Sequence, residues 1–118
     1  MIPHDERPMV YLAAPYTIPD CLENCHKAIQ YAHDIQATEQ VTVYVPHLSL
    51  LWALVMGMHD EDYWKSYDLA FEARCDALLR LPGESIGADD EVTYAEKNNI
   101  PVFYSSDDLF AWINGADV

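Results

Sequence analysis

Two kinds of segment alternate along this chain. Short apolar runs, Met9 to Ala14, Val41 to Val45, Asp76 to Leu81 and Ile100 to Tyr104, read as strands. The first is apolar on both faces, the signature of a parallel strand buried under helices. Between them lie longer stretches with helical spacing. Asp20 is placed to cap a helix reaching about Thr38, with apolar positions at Leu22, Cys25, Ala28, Ile29, Ala32 and Ile35. A second stripe, Trp64, Tyr67, Phe71 and Cys75, predicts a helix from about Asp62 to Arg74. A third helix is expected to start near Ala88 and to end at Asn98-Asn99. Ser105 can cap a last one, Asp107 to Ile113. Leu48 to Met58 is apolar and reads as a short helix. Residues 1–7 are polar and read as loose and flexible.

This alternation predicts a single α/β domain over residues 1–118, with a parallel sheet of four to five strands and helices on both faces. A chain of 118 residues suits one domain, and 51% apolar content supplies a core. Charge narrows the function. Six Lys and Arg stand against twenty Asp and Glu, a formal net charge of −14. That argues against a nucleic-acid polymer, which needs a basic face, and against anionic membranes. A small nucleotide held by backbone N–H groups stays open. Three cysteines, an odd number, and no leader peptide predict a reducing, cytoplasmic setting. Cys21, Cys25 and His26 lack further ligands in register, and the polar break His59-Asp60-Glu61-Asp62 reads as a solvated helix start rather than a metal cluster. No metal or organic cofactor is expected.

The chemistry gathers after the strand Asp76 to Leu81. Pro82 and Gly83 stop it, and the loop Glu84-Ser85-Ile86-Gly87 leads into the next helix. In open α/β sheets ligands bind beyond the carboxyl ends of strands, where such loops meet helix N-termini. Asp89, Asp90 and Glu91 are expected in the first helical turn. They have two readings: ordinary first-turn acids favoured by the helix dipole, or a nucleophile, Glu91, kept ionised by it. Tyr11 is either core or site. Asp68 borders an apolar stripe, either buried with partners or exposed near Lys65 or Glu72. Pro15 and Tyr16 follow the first strand, and His47 follows the second; each is a candidate substrate contact, His47 alternatively a solvated loop residue. Dinucleotide and P-loop glycine patterns and the G-x-S-x-G elbow are absent.

The spacing S-x-G-A-x-x-E-x-x-x-A from Ser85 to Ala95, followed by Ile100-Pro101-Val102, resembles the nucleoside 2-deoxyribosyltransferase superfamily, which includes deoxynucleotide N-hydrolases. V-Y-L-A-A-P-Y, from Val10 to Tyr16, and the segment from Asp68 to Asp76 match it too, so the resemblance spans residues 9–104. It is closest to a small uncharacterised branch. It implies a flavodoxin-like (Rossmann-like) sheet of order 2-1-3-4(-5). It implies Glu91 as nucleophile, Tyr11 beside it, and Asp68, 23 residues before Glu91, as the residue that binds the sugar and assists proton transfer. Ser85 stands where nucleotide hydrolases carry a serine that helps hold a 5′-phosphate, with Gly87 and Ala88 opening the helix toward an anion. The implied reaction is retaining cleavage of an N-glycosidic bond in a (deoxy)nucleoside or its 5′-monophosphate, with transfer to water or a second base. The apolar Leu48–Met58 segment suggests a homodimer or higher homo-oligomer. The rival from another class is a non-catalytic nucleotide-sensing or scaffold domain. Glu91, Asp68 and Tyr11 in one pocket would favour the enzyme, and a pocket filled by Trp52 or Trp64 the rival.

Overall fold

The computed structural model describes residues 2–57 and 60–115. Four strands form one sheet: β1 (Met9–Ala13), β2 (Thr42–Tyr44), β3 (Ala77–Arg80) and β4 (Val102–Phe103), in the order β2-β1-β3-β4. All three pairings are parallel, with Tyr11 opposite Tyr44 on one side and Leu78 on the other. Five helices connect or flank them: α1 (Cys21–Gln36), α2 (Ser49–Met56), α3 (Glu61–Glu72), α4 (Ile86–Lys97) and α5 (Ser106–Ile113). Met58 and His59, which bear on the expected apolar segment and polar break, lie outside the described residues.

Alternation along β1 makes the two faces. Val10 and Leu12 join Ala28, Ala32 and Ile35 of α1 and Leu109 of α5 in one core. Tyr11 and Ala13 point the other way, to Ala88, Val92 and Ala95 of α4. Both faces are dry, hence the uninterrupted apolar run. The order reverses between β1 and β3, so the carboxyl ends of these two strands flank the crevice where such sheets bind ligands.

Caps set the helix limits. Asp20 accepts from the backbone N–H groups of Leu22 and Glu23, and Ser105 from that of Asp108, both as expected. Helix α1 stops at Gln36, short of Thr38, whose hydroxyl donates to the Ile35 carbonyl at 2.7 Å. Helix α4 starts at Ile86, two residues before the expected Ala88, because Ser85 caps it by accepting from the Ala88 N–H. Asp89 therefore belongs to the first turn, and Asp90 and Glu91 to the second. Ahead of β1, residues 4–6 form a 3-10 turn, and Arg7 is buried, donating to the Ile2 and Val41 carbonyls. Helix α2 leaves Leu51, Trp52, Leu54, Val55 and Met56 exposed and buries Ala53. Among the described residues no helix is long and apolar enough to cross a membrane.

Candidate active site

β1, β2, α3 and α4 each deliver one or two side chains to a single cluster. β1 alternation points Tyr11 toward α4, and Glu91 on α4 meets it: the Tyr11 hydroxyl donates a short hydrogen bond to Glu91 Oε2. Tyr44 of β2 stacks on Tyr11 at 5.5 Å between ring centres and on Phe71 of α3 at 4.4 Å. Its hydroxyl donates to Asp68 Oδ1 at 3.3 Å. Asp68 is thus half-buried and paired with a tyrosine, while Lys65 reaches across to Asp90 at 3.2 Å. The fold therefore gathers Tyr11, Asp68 and Glu91, with Tyr44 as the link.

Electrostatics follow from burial. Glu91 is pushed up to about 7, chiefly by desolvation, with the Asp68 charge adding to it and the Tyr11 hydrogen bond and Arg80 charge opposing. The expected cause, a helix dipole holding the carboxylate ionised, does not govern: Glu91 lies in the second turn, and the dipole fades within the first. Asp68 is pushed up to about 6 by burial, against the Tyr44 hydrogen bond. Tyr11 is raised far above the usual phenol range by burial and by the Glu91 and Asp68 charges, so it is a donor at any working pH. A half-ionised carboxylate beside a fixed donor can attack a carbon or exchange a proton near neutrality.

Two residues here escape a reading of the sequence. Glu72 is wholly buried among these acids. Its only signal is spacing, since Asp68, Glu72 and Cys75 share one face of α3 and its continuation. Arg80 interrupts an otherwise apolar strand, and that was its signal. Its guanidinium donates to the Leu81 carbonyl, to the Gly83 carbonyl at 2.9 Å and to Asp89 at 3.0 Å. It braces the β3–α4 loop from beneath, beside an open depression of about 330 Å³ that Pro82 and Tyr104 also line.

The other expected contacts hold loops together. Gly83 has a φ of +123°, and a Cβ there would lie 2.7 Å from the Pro15 ring, so the β1–α1 and β3–α4 loops touch at this pair. His47 is buried rather than solvated. Its Nε2 donates to the Pro15 carbonyl at 2.8 Å, and burial lowers its pKa. Tyr16 is half-buried, with its ring 5.4 Å from that of His47. Ser85 Oγ accepts from the Ala88 N–H, which removes that N–H from any anion but leaves the hydroxyl proton free to be donated. Gly87 opens onto space: a Cβ there would meet only Ser85 Oγ, at 3.9 Å. Trp52 and Trp64 pack edge-on against Tyr67, which leans on Phe71. Among the described residues no group of three or more His, Cys, Asp or Glu side chains is placed to hold a metal ion.

No protein-family model and no curated protein matches the chain. Among solved structures, it is similar to a 2-deoxyribosyltransferase from the psychrotolerant bacterium Bacillus psychrosaccharolyticus, described as a biocatalyst for the synthesis of antiviral and antitumoral nucleosides. The match has a TM-score of 0.59 at 22% identity and covers 80% of this chain and 69% of that one. With its open parallel sheet in the order β2-β1-β3-β4, this chain has the fold of a 2-deoxyribosyltransferase.

Proposed function

We propose that this domain cleaves the N-glycosidic bond of a (deoxy)nucleoside or nucleoside 5′-monophosphate through a covalent glycosyl-glutamate, passing the sugar to water or to a second base. One observation carries the reading: the Tyr11 hydroxyl is bonded to Glu91, with Asp68 close enough for its charge to be felt by both. Glu91 attacks the anomeric carbon. Tyr11 holds the attacking carboxylate in place. Asp68, fixed by Tyr44, orients the sugar and protonates the departing base. The transition state is oxocarbenium-like, and a carboxylate on either side of the ring stabilises it, as in retaining glycosidases. The Ser85 hydroxyl and the N–H groups of Ile86 and Gly87, ahead of the capped Ala88, favour a 5′-phosphate, and open space at Gly87 lets substrate approach the backbone. A second copy of the chain, docked on the exposed row of α2, covers the apolar surface there.

The test is a panel of nucleosides and 5′-monophosphates, each with and without a second free base, followed by chromatography for released base and exchanged product. Release from one or more members, with a monophosphate preferred, is expected. A panel untouched at enzyme-stoichiometric concentrations, with bound nucleotide visible by calorimetry, refutes cleavage and selects the non-catalytic nucleotide-binding reading.

A further inference from the structure

Glu72 is the last residue of α3, and it is 0% exposed. Neither carboxyl oxygen has a hydrogen-bond partner among the described residues. A buried, unpaired carboxylate is so costly that such a group keeps its proton instead. The surroundings add to that cost. The C-terminal end of a helix carries partial negative charge, which disfavours an anion. The titratable groups that face Glu72 are acidic or neutral: Tyr11 from β1, Asp68 one turn back on α3, Cys75 just beyond the helix and Glu91 from α4. Tyr44 of β2 closes the cluster through Asp68. Burial first, then the charges of Glu91 and Asp68, push Glu72 up to about 8. Glu72 thus holds a proton at neutral pH, one helical turn from the Asp68 that the proposed reaction uses as its acid.

Glu91 has to be ionised to attack, and the departing base has to gain a proton. Asp68, pushed only to about 6, carries a proton in a minority of molecules at neutral pH. Asp68 and Glu72 are four apart on one helix and so are neighbours on its face. We propose that Glu72 is the proton store of this site: rotation of the two side chains brings its carboxyl, unpaired at rest, against that of Asp68 one turn away on α3, and its proton passes to Asp68, and from Asp68 to the departing nitrogen, as Glu91 gives up its negative charge to form a bond to the sugar. This inference rests on the glycosyl-transfer reading above.

The step balances. A Glu91 oxygen bonds to the anomeric carbon. The C–N bond breaks, and its electron pair goes to the base nitrogen, which takes the proton from Asp68. Asp68 takes the proton of Glu72. Two carboxylates are anionic before the step, Glu91 and Asp68, and two after it, Asp68 and Glu72. A buried site whose net charge stays constant avoids the cost of changing charge in a low dielectric. Loss of the Glu91 charge also removes one cause of Glu72's hold on its proton, so the transfer is favoured as the bond forms. The second half-reaction runs in reverse, with the acceptor's proton returning through Asp68 to Glu72. Glu72 touches no substrate and acts only through its neighbours.

The test begins without substrate. Glutamate carboxyl carbons are labelled with carbon-13 and titrated by NMR in wild type, Glu72→Gln and Glu91→Gln. A step near pH 8 is expected in wild type, absent in Glu72→Gln, and moved down by about one unit in Glu91→Gln, where the neighbouring charge is gone. The kcat/KM profile with the nucleoside found by the panel follows. In Glu72→Gln, and equally in Glu72→Met, its alkaline limb is expected to fall from about 8 toward about 6, where Asp68 alone holds the proton, with a loss of about tenfold or more at pH 7.5. A wild-type step below pH 6, or one that Glu91→Gln does not move, overturns the store. So does an unchanged profile in Glu72→Gln. Coupled titrations in a protein that cleaves nothing sink the proposed reaction and the relay with it, while the charge coupling itself stands.

Discussion

Glu91→Gln tests the site through stability as well as rate. The amide keeps the shape of the side chain and an oxygen to accept from Tyr11, but it cannot ionise. In the folded protein Glu91 is held at about 7 against an ordinary 4.5. A raised acid costs nothing below the unfolded value, where it is protonated in both states. The cost grows between the two values and is complete above the folded one. A gap of that size corresponds to about 3 kcal/mol at most, and partial exposure of Glu91 reduces it to about 1–3 kcal/mol. Urea denaturation at pH 4 is therefore expected to find the variant and wild type equally stable. At pH 8 the variant is expected to be the more stable by that amount. Turnover is expected to fall by about three or more orders of magnitude, because an amide forms no glycosyl ester. Intact mass spectrometry with a slow 2-fluoro sugar substrate is expected to show covalent sugar on wild type alone. The same stability difference at both pH values would mean that burial does not control the protonation of Glu91. Full activity in Glu91→Gln would end its role as nucleophile.

Tyr11→Phe removes the donor that holds the Glu91 pKa down, so the acid limb of kcat/KM is expected to move up by about one to two pH units, with the larger rate loss at pH 6; an unmoved limb contradicts the pairing. Gly87→Ala introduces a Cβ into open space near the start of α4, so thermal melting is expected to rise slightly, by about 0.5 kcal/mol equivalent, while KM increases as backbone access closes. A drop in melting temperature with KM unchanged would show that glycine serves the fold there instead. Sedimentation at micromolar concentration is expected to find a dimer or larger species, and Leu51→Glu with Val55→Glu, both on the exposed row of α2, is expected to shift it to monomer. A wild-type monomer at that concentration rejects the docked copy.

What the sequence determined by itself is what local chemistry encodes. A strand apolar on both faces has to lie between helices, so β1 could be read as a central parallel strand before any pairing was known. The caps Asp20 and Ser105 act within three residues and were legible for the same reason. The family resemblance carried by the residues from Ser85 to Ala95 and by V-Y-L-A-A-P-Y brought Tyr11 and Glu91 into one hypothesis across 80 residues.

Only the tertiary structure decided the charge states. Ser85 had to fold back on Ala88 before Glu91 could be placed in the second turn of α4, beyond useful reach of the helix dipole. How strongly a carboxyl holds its proton depends on how much water and which charges surround it, and distant segments supply both. Asp68 is half-buried because Tyr44 from β2 reaches it. Arg80 could be noticed as a cation in an apolar strand, but the loop carbonyls it braces are set by the turn after it. Glu72 looked like any polar residue at the end of a helix. It is a buried acid because the sheet and α4 close over that face of α3, and desolvation is a property of the closed structure that no pattern of neighbours along the chain contains.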